Sequence, residues 1–257
     1  MRIASWNVNS LRVRLDQVLA WLDTAKPDVL GLQETKLIDE KFPREEFAAR
    51  GYHVACSGQP TYNGVALISR QSIEETMTDF DGYADAQRRI LGATIGPIRI
   101  LNLYVPNGQS VDSDKYEYKL AWLAALKSQL QRELARYEHI VVMGDFNIAP
   151  ADADVHDPVA WEGKVLCSAK ERRALTELLD LGFEDTYRLF ERTEQEFSWW
   201  DYRAAAFRRN LGLRIDLVLA SKRLSAACSE AAIDAAPRRN ERPSDHAPVY
   251  AQFTLEC

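Results

Sequence analysis

Short apolar runs punctuate the chain at residues 3–7, 29–33, 65–69, 99–104, 140–143, 215–220 and 249–253, each of strand length. Elsewhere apolar positions recur at helical spacing, over residues 11–23, 115–137 and 169–181. In the second of these, Leu120, Leu123, Leu126 and Leu130 form one stripe, the pattern of a helix face buried against a core. Gly182, just after the third, has the position of a helix C-terminal glycine. Strands and helices do not alternate as strictly as a plain parallel sheet requires. An α/β fold of two mixed sheets packed face to face, with helices on the outer sides, fits the order better. In a mixed sheet one strand begins where its antiparallel neighbour ends, so polar residues at strand starts and ends can gather at one edge.

Composition adds little to this picture. The 257 residues show no low-complexity tract, no Gly/Ser linker and no shift in composition, so a single domain spanning 1–257 is expected. The N-terminus has no apolar signal core and no segment approaches the roughly 20 apolar residues of a membrane span, which predicts a soluble, cytoplasmic protein without a membrane partner. Cys56, Cys167, Cys228 and Cys257 form no C-x-x-C pair and have no histidine at zinc-ligand spacing. They read as small buried apolar residues plus a free terminal thiol, suited to a reducing compartment. The formal net charge of −6 argues against a polyanionic partner only at first sight. Residues 188–242 carry 11 Lys/Arg against 8 Asp/Glu, and binding depends on where charges lie.

Four motifs carry candidate chemistry. Ser5-Trp6-Asn7-Val8-Asn9 closes the first strand, and strand alternation puts Asn7 and Asn9 on one face with Trp6 and Val8 on the other. In Gly31-Leu32-Gln33-Glu34-Thr35, Glu34 ends an apolar strand; taken singly it is an ordinary turn residue. Met143-Gly144-Asp145-Phe146-Asn147 follows another apolar run and again places its two polar residues on one face. An Asp at the tip of a buried strand needs a partner, or closes the strand as an Asx-turn. The last is a pair, Arg214-Ile215-Asp216-Leu217 and Pro243-Ser244-Asp245-His246-Ala247-Pro248. Asp245 and His246 are adjacent and face opposite ways in an extended chain, so Asp216 is the better candidate to orient the imidazole.

Together these residues supply what phosphodiester hydrolysis needs. Glu34, Asn7 and Asp245 offer oxygen ligands to a hard cation. Such a cation polarises the phosphoryl group and stabilises the leaving oxygen. Asp145, or His246 oriented by Asp216, can position or deprotonate a water. Asn147 can donate to phosphoryl oxygens as charge accumulates. No Walker loop and no G-x-S-x-G elbow competes.

The stretches WNVNSLRVR, PDVLGLQETK, YNGVALISR, AQRRIL, LYVPNGQS, GDFNIAP, FSWWDYR, GLRIDLVLAS and PSDHAPV follow one another over nearly the whole chain. In this order they resemble the exonuclease III family of abasic-site endonucleases, within the deoxyribonuclease I-like endonuclease/exonuclease/phosphatase superfamily. The resemblance implies a four-layer α/β sandwich with its site at one edge of the paired sheets, acting as a monomer. It implies a DNA-repair phosphodiesterase that cuts 5′ of abasic sites, trims damaged 3′ ends, or both, with Mg2+ as cofactor and Mn2+ as a substitute. By position it makes Glu34 the main metal ligand, assisted by Asn7 and Asp245. Asn9 stands where some relatives carry Asp and is a further candidate ligand. Tyr104 resembles a phenol contacting the scissile phosphate, Asp145 the acid or base at the attacking water, Asn147 a phosphate-binding amide, and His246–Asp216 the family's couple.

Residues 197–210 interleave aromatics with arginines. Trp199 and Trp200 must face opposite sides of an extended chain, which leaves one for a pocket or the surface. With Arg203, Arg208, Arg209 and Asn210 they are candidates for stacking and phosphate contact. Arg88, Arg89 and Lys115 are further candidates for contact with the DNA backbone. An inositol-phosphate phosphatase or a sphingomyelinase would share the acidic core; the SWWDYR and GLRID stretches and the lack of a membrane-directed apolar segment favour DNA. A catalytically silent DNA-binding relative would be expected to lose Glu34, Asp145, Asn147 or His246, and all four are present. Residues 151–168 follow the third motif and are expected to border the substrate.

Overall fold

The apolar runs pair into two sheets. In the computed structural model, which describes residues 1–255, the strands are β1 (Arg2–Asn7), β2 (Val29–Gln33), β3 (His53–Ser57), β4 (Val65–Ser69), β5 (Glu74–Met77), β6 (Ile90–Ile95), β7 (Ile98–Tyr104), β8 (Ile140–Asp145), β9 (Phe183–Asp185), β10 (Asp216–Ser221), β11 (Cys228–Ile233) and β12 (Val249–Phe253). The helices are α1 (Leu11–Ala25), α2 (Arg44–Ala48), α3 (Asp114–Leu134), α4 (Pro158–Trp161), α5 (Ala169–Leu179) and α6 (Lys222–Ser225). One sheet has the order β11-β12-β1-β2-β4-β3 and the other β5-β6-β7-β8-β10-β9. Pairs β1–β2 and β7–β8 are parallel and the rest are antiparallel.

Three apolar layers separate four structural ones. Ile3, Val29, Leu67, Ile100, Val141 and Val249 fill the space between the sheets. Leu123, Leu126 and Leu130 of the predicted α3 stripe cover the second sheet together with Leu175 and Leu178 of α5. Val18, Leu19 and Leu22 of α1 cover the first. The expected sandwich is therefore the observed one. The seven predicted strands are all central; the four edge strands β3, β5, β9 and β11, and β6 beside an edge, were not predicted.

Some predicted details are corrected. Helix α5 ends at Leu179 with Asp180 as its cap, and Gly182 follows in the connecting turn, its N–H bonded to the carbonyl of Leu179. Among the described cysteines only Cys167 is buried; Cys56 and Cys228 are half-exposed free thiols, and Cys257 lies outside the described residues. No described helix is long and apolar enough to cross a membrane.

Two polar features fix the layers. Gln33 Nε2 reaches across the sheets to Asn102 Oδ1 at 2.6 Å, and the Asn102 amide returns to the carbonyls of Leu32 and Ala66 at 3.0 and 2.9 Å. Gly31 permits this approach, because a Cβ there would stand 2.7 Å from Asn102 Oδ1 and 2.6 Å from Met143 Cε. Between α3 and α5, Lys119 and Glu171 form an ion pair with both side chains at 0% exposure. Glu171 also completes a capping box with Ser168 and accepts the N–H of Leu166. The Lys119 ammonium donates in addition to the carbonyls of Asn147, at 2.6 Å, and Asn107. Removing one member strands the other's charge in the interior. Lys119→Met is therefore expected to cost about 3 kcal/mol or more in urea unfolding, and Lys119→Met/Glu171→Gln less than Lys119→Met alone; a loss below about 1 kcal/mol, typical of an exposed pair, would contradict this.

Candidate active site

Strand polarity decides which residues meet. The parallel pair β1–β2 and the parallel pair β7–β8 end at the same edge of the sandwich, and β10 and β12 begin there. The registers align Asn7 with Gln33 in one sheet, and Tyr104 and Asp216 with Asp145 in the other. Glu34 follows β2 directly, and Asp245 and His246 lie just ahead of β12.

At three of these ends the chain turns through a left-handed residue: Asn9 (φ 42), Glu34 (φ 51) and Asn147 (φ 49). Asn7 Oδ1 accepts the N–H of Asn9 at 3.0 Å, and Asp145 Oδ1 accepts that of Asn147 at 2.9 Å. These are Asx-turns, and they correct the expectation that Asn9 and Asn147 continue the strand alternation. Asn9 leaves the face of Asn7 and turns toward Lys36 and Asp245. Gly144, ahead of Asp145, has φ +146, and a Cβ there would lie 1.9 Å from the carbonyl oxygen of Leu103.

The centre is a buried charge cluster. Asp145 and Asp216 are direct cross-strand partners, an arrangement that two carboxylates destabilise unless a cation intervenes. His246 supplies it: Nδ1 donates to Asp216 Oδ2 at 2.8 Å, and Nε2 faces Asp145 Oδ2 at 3.7 Å. Burial opposes the charged imidazole, but Asp216 and Asp145 outweigh it and raise its pKa to about 10. Burial pushes the Asp145 carboxyl up to about 7, with Asp216 and Glu34 adding to the rise and His246 and the Asn7 amide opposing it. Ser198 Oγ accepts the N–H groups of Ile215 and Asp216 and so fixes the start of β10.

The Asn7 amide nitrogen donates to both Glu34 Oε1 and Asp145 Oδ2, each at 2.9 Å. Glu34, Asp145 and His246 each offer a ligand atom, all within 4.8 Å of one another. Asp245, expected as a ligand, is not in this group. Its oxygens take Asn9 Nδ2 and the Trp199 indole N–H, both at 3.0 Å. Burial raises the Asp245 pKa, but His246 and those two donors hold it below the usual carboxylate range.

The remaining candidates flank the centre. Asn147 donates to the carbonyl of Val105 and accepts from Asn107, both at 3.0 Å, which leaves one of its amide hydrogens unspent. Half-buried Tyr104 lies under the guanidinium of Arg89, 4.6 Å from the ring centre. Burial, reinforced by Glu34 and Asp145, keeps its phenol protonated well above the ordinary range. Tyr104, Arg89, Asn107 and Lys115 line a cleft of about 700 Å³. Arg88 is tied to Asp79. On the other flank Trp199 is half-exposed, whereas Trp200 is only 3% exposed and packs against Phe197 and Phe207. Trp200 therefore has no face to offer a base. Its indole N–H is taken by exposed Asn210; Arg208 and Arg209 are exposed, and Arg203 is exposed but paired with Asp201. Lys36, Asn107 and Lys119 were missed. Lys36 and Asn107 stand inside recognised motifs, whereas Lys119 looks like any polar position of an amphipathic helix.

The model of the endonuclease/exonuclease/phosphatase family matches residues 4–246. The chain belongs to this family. It is 38% identical to exodeoxyribonuclease III of Haemophilus influenzae, over 98% of this chain and 100% of that protein. Among solved structures it is similar to the 3′ phosphatase NExo from Neisseria bound to product DNA hairpin, at 45% identity and a TM-score of 0.97, over 99% of this chain and 100% of that one. It is also similar to an AP endonuclease from Archaeoglobus fulgidus, at 40% identity and a TM-score of 0.95, with the same coverage. This member of the endonuclease/exonuclease/phosphatase family thus matches its relatives along both sheets.

The charge cluster makes a spectroscopic prediction. Asp216→Asn removes the largest contribution that raises the His246 pKa, so the pKa falls from about 10 toward the ordinary imidazole range. With 4 histidines in the chain, NMR titration of labelled imidazoles resolves the shift; an unchanged value would mean that Asp216 does not set the charge on His246.

Proposed function

We propose that the protein is a metal-dependent DNA repair phosphodiesterase of the exonuclease III and AP endonuclease kind. The observation that carries this is the convergence of Glu34, Asp145 and His246 from two sheets onto one point, with Asp216 behind the imidazole. The relatives support DNA as the substrate, one being a 3′ phosphatase bound to a DNA hairpin and another an AP endonuclease. Internal abasic sites and blocked 3′ ends are accordingly the proposed substrates, handled by a monomer. Free cysteines agree with an intracellular location.

The donor set suits a hard cation such as Mg2+, with Mn2+ as a substitute, because two carboxylates converge where the Asn7 amide already offers each a hydrogen. Glu34 and Asp145 would hold it, with Asn7 behind them. Once bound, the cation would polarise a phosphoryl oxygen and stabilise the leaving oxygen. The protein's own groups do the rest. His246, charged between two carboxylates, donates to a phosphoryl oxygen, so Asp145 is the group that takes the proton of the attacking water. The spare amide hydrogen of Asn147 and the protonated phenol of Tyr104 point to further phosphate contacts. Trp199, Arg203, Arg208, Arg209 and Asn210 on one flank, and Arg88, Arg89 and Lys115 on the other, would hold the duplex. Residues 151–168 pack against Trp199 through Val155, Leu166 and Cys167, which supports a role for this loop in bordering the substrate.

A duplex with one abasic-site analogue and a duplex with a 3′-blocked nick, each with Mg2+ and then with EDTA, test the proposal. Magnesium-dependent incision 5′ of the abasic site supports endonuclease action, and release of the block alone restricts the role to end processing. Cleavage of neither by folded protein would remove DNA and turn the search to phosphoinositides. Asp145→Asn and His246→Asn are each expected to lower turnover by about 10²–10⁴-fold with DNA affinity little changed. Replacing Arg208 or Arg209 by Ala should weaken binding at all sequences and reduce the slope of log K against log salt by about one; unchanged slopes in both would take this flank off the DNA path.

A further inference from the structure

The segment between the short turn Ala236–Arg239 and β12 carries Asp245 and His246 without a strand or helix of its own. Its carbonyls are held from outside. That of Glu241 accepts from Gln17 Nε2 at 2.9 Å, and that of Arg242 from Arg14 Nε at 3.1 Å. The Pro243 carbonyl accepts from Arg14 Nη2 at 3.0 Å and from the Tyr202 hydroxyl at 2.8 Å, and the Ser244 carbonyl accepts from Arg238 Nη1. Those of Asp245 and His246 take the Trp200 N–H at 3.0 Å and the Trp6 indole N–H at 3.2 Å. The three successive carbonyls ahead of Asp245 thus rest on two guanidiniums.

Both arginines spend their hydrogens on carbonyls and a phenol rather than on acids. Arg14 adds the Asn9 carbonyl at 2.6 Å and the Tyr202 hydroxyl at 3.0 Å to its two partners in the segment. Arg238 is 5% exposed, its guanidinium lies 5.0–5.7 Å from the ring centres of Trp200, Tyr202 and Phe207, and its Nε has no partner among the described residues. A buried guanidinium without a carboxylate is costly beside an apolar side chain of similar size. Its return is direction, because the planar fork fixes the oxygens it meets. That direction reaches the catalytic imidazole through one residue. Ser244 Oγ donates to the Asn7 carbonyl at 2.7 Å and accepts the His246 N–H at 3.2 Å, while the carbonyl of the same residue is the one on Arg238.

We infer that Arg14 and Arg238 are positioning residues for the reaction: they hold the carbonyls of residues 242–244, and through them the placement of the His246 imidazole against Asp216 and Asp145. The inference rests on the phosphodiester hydrolysis proposed above and adds two residues that act through the backbone, without touching the phosphate or the DNA.

Single-turnover cleavage of the abasic-analogue duplex by excess enzyme, beside duplex binding across a salt series, separates placement from contact. In Arg238→Met the cleavage rate is expected to fall about 10²-fold, the scale set by a displacement of about 1 Å at a reacting group, with the slope of log K against log salt unchanged. Arg14→Met should lose less, because the Tyr202 hydroxyl still reaches the Pro243 carbonyl, and Arg14→Lys and Arg238→Lys should each recover part of the loss. Amide exchange adds a readout that needs no turnover. The N–H groups of Trp200 and His246 should accelerate in Arg238→Met by a larger factor than those of Val141 and Val142 in β8. Equal acceleration at both places would mean a general loss of stability and overturn the inference. Near-wild-type cleavage in both methionine variants would also overturn it, as would a salt slope reduced by about one, the mark of a phosphate contact. If Arg238→Met does not fold, Arg14→Met carries all three readouts. A wild type that cleaves no DNA removes the proposed function, and exchange alone then decides on the two arginines.

Discussion

One amide nitrogen joins the two halves of this molecule where its chemistry lies. Asn7 belongs to the first sheet and Asp145 to the second, and Asn7 Nδ2 gives one hydrogen to Asp145 and the other to Glu34. Asp145 is buried and Glu34 half-buried, and each has other partners, but the Asn7 amide reaches both and so ties the position of one acid to that of the other across the two sheets. The apolar layer between them is less discriminating, since aliphatic side chains pack acceptably in more than one relative position. Gln33 and Asn102 add a second polar contact further in, and Gly31 provides the space for it. Two directional contacts along one interface fix both position and angle, and the site geometry follows from them.

The acids are held by opposite means on the two sides of the centre. Asp145 and Asp216 are forced together by strand register and share an imidazole. Asp245 and Glu34 are kept apart, each bonded to neutral or cationic nitrogens. Their surroundings accordingly push Asp145 up and hold Asp245 down. Neighbouring carboxylates with pKa values driven in opposite directions are a means of assigning different tasks to one residue type.

The sequence showed the central strands apart from β6 and missed those at the edges, the latter for a physical reason. A central strand such as β4 is buried throughout, whereas β5 is largely exposed and β11 has one buried position among six, so their side chains record solvent more than pairing. The acids and amides at strand tips were legible as a set, since Glu34 taken singly is an ordinary turn residue and Asp145 an Asx-turn or a buried acid in need of a partner. Their directions were not: three tips turn through left-handed residues, and strand alternation stops at that point. Trp199 and Trp200 divided between surface and core as adjacent strand residues should, but only the packing of Phe197 and Phe207 determined which was which. Lys119 was illegible because a lysine beside Leu120 reads as solvated until the partner helix is known.

Charge that is buried away from the centre also serves the centre. Arg214 is paired with Asp154 and Asp185 at 2.7 Å each and lies over the ring of Tyr187, anchoring the loop after Asn147 to the strand that carries Asp216. Lys119 does the same for the backbone of Asn107 and Asn147. Such pairs add little net stability over apolar packing, because desolvation consumes most of the attraction. Their value lies in direction: a guanidinium or ammonium shared among several acceptors tolerates one geometry, where an aliphatic side chain would tolerate many. Loops that must present amides to a phosphate within a fraction of an ångström need that restriction more than they need stability, and a chain with net charge −6 can place its cations inside for this purpose while leaving others exposed on the flank beside Trp199.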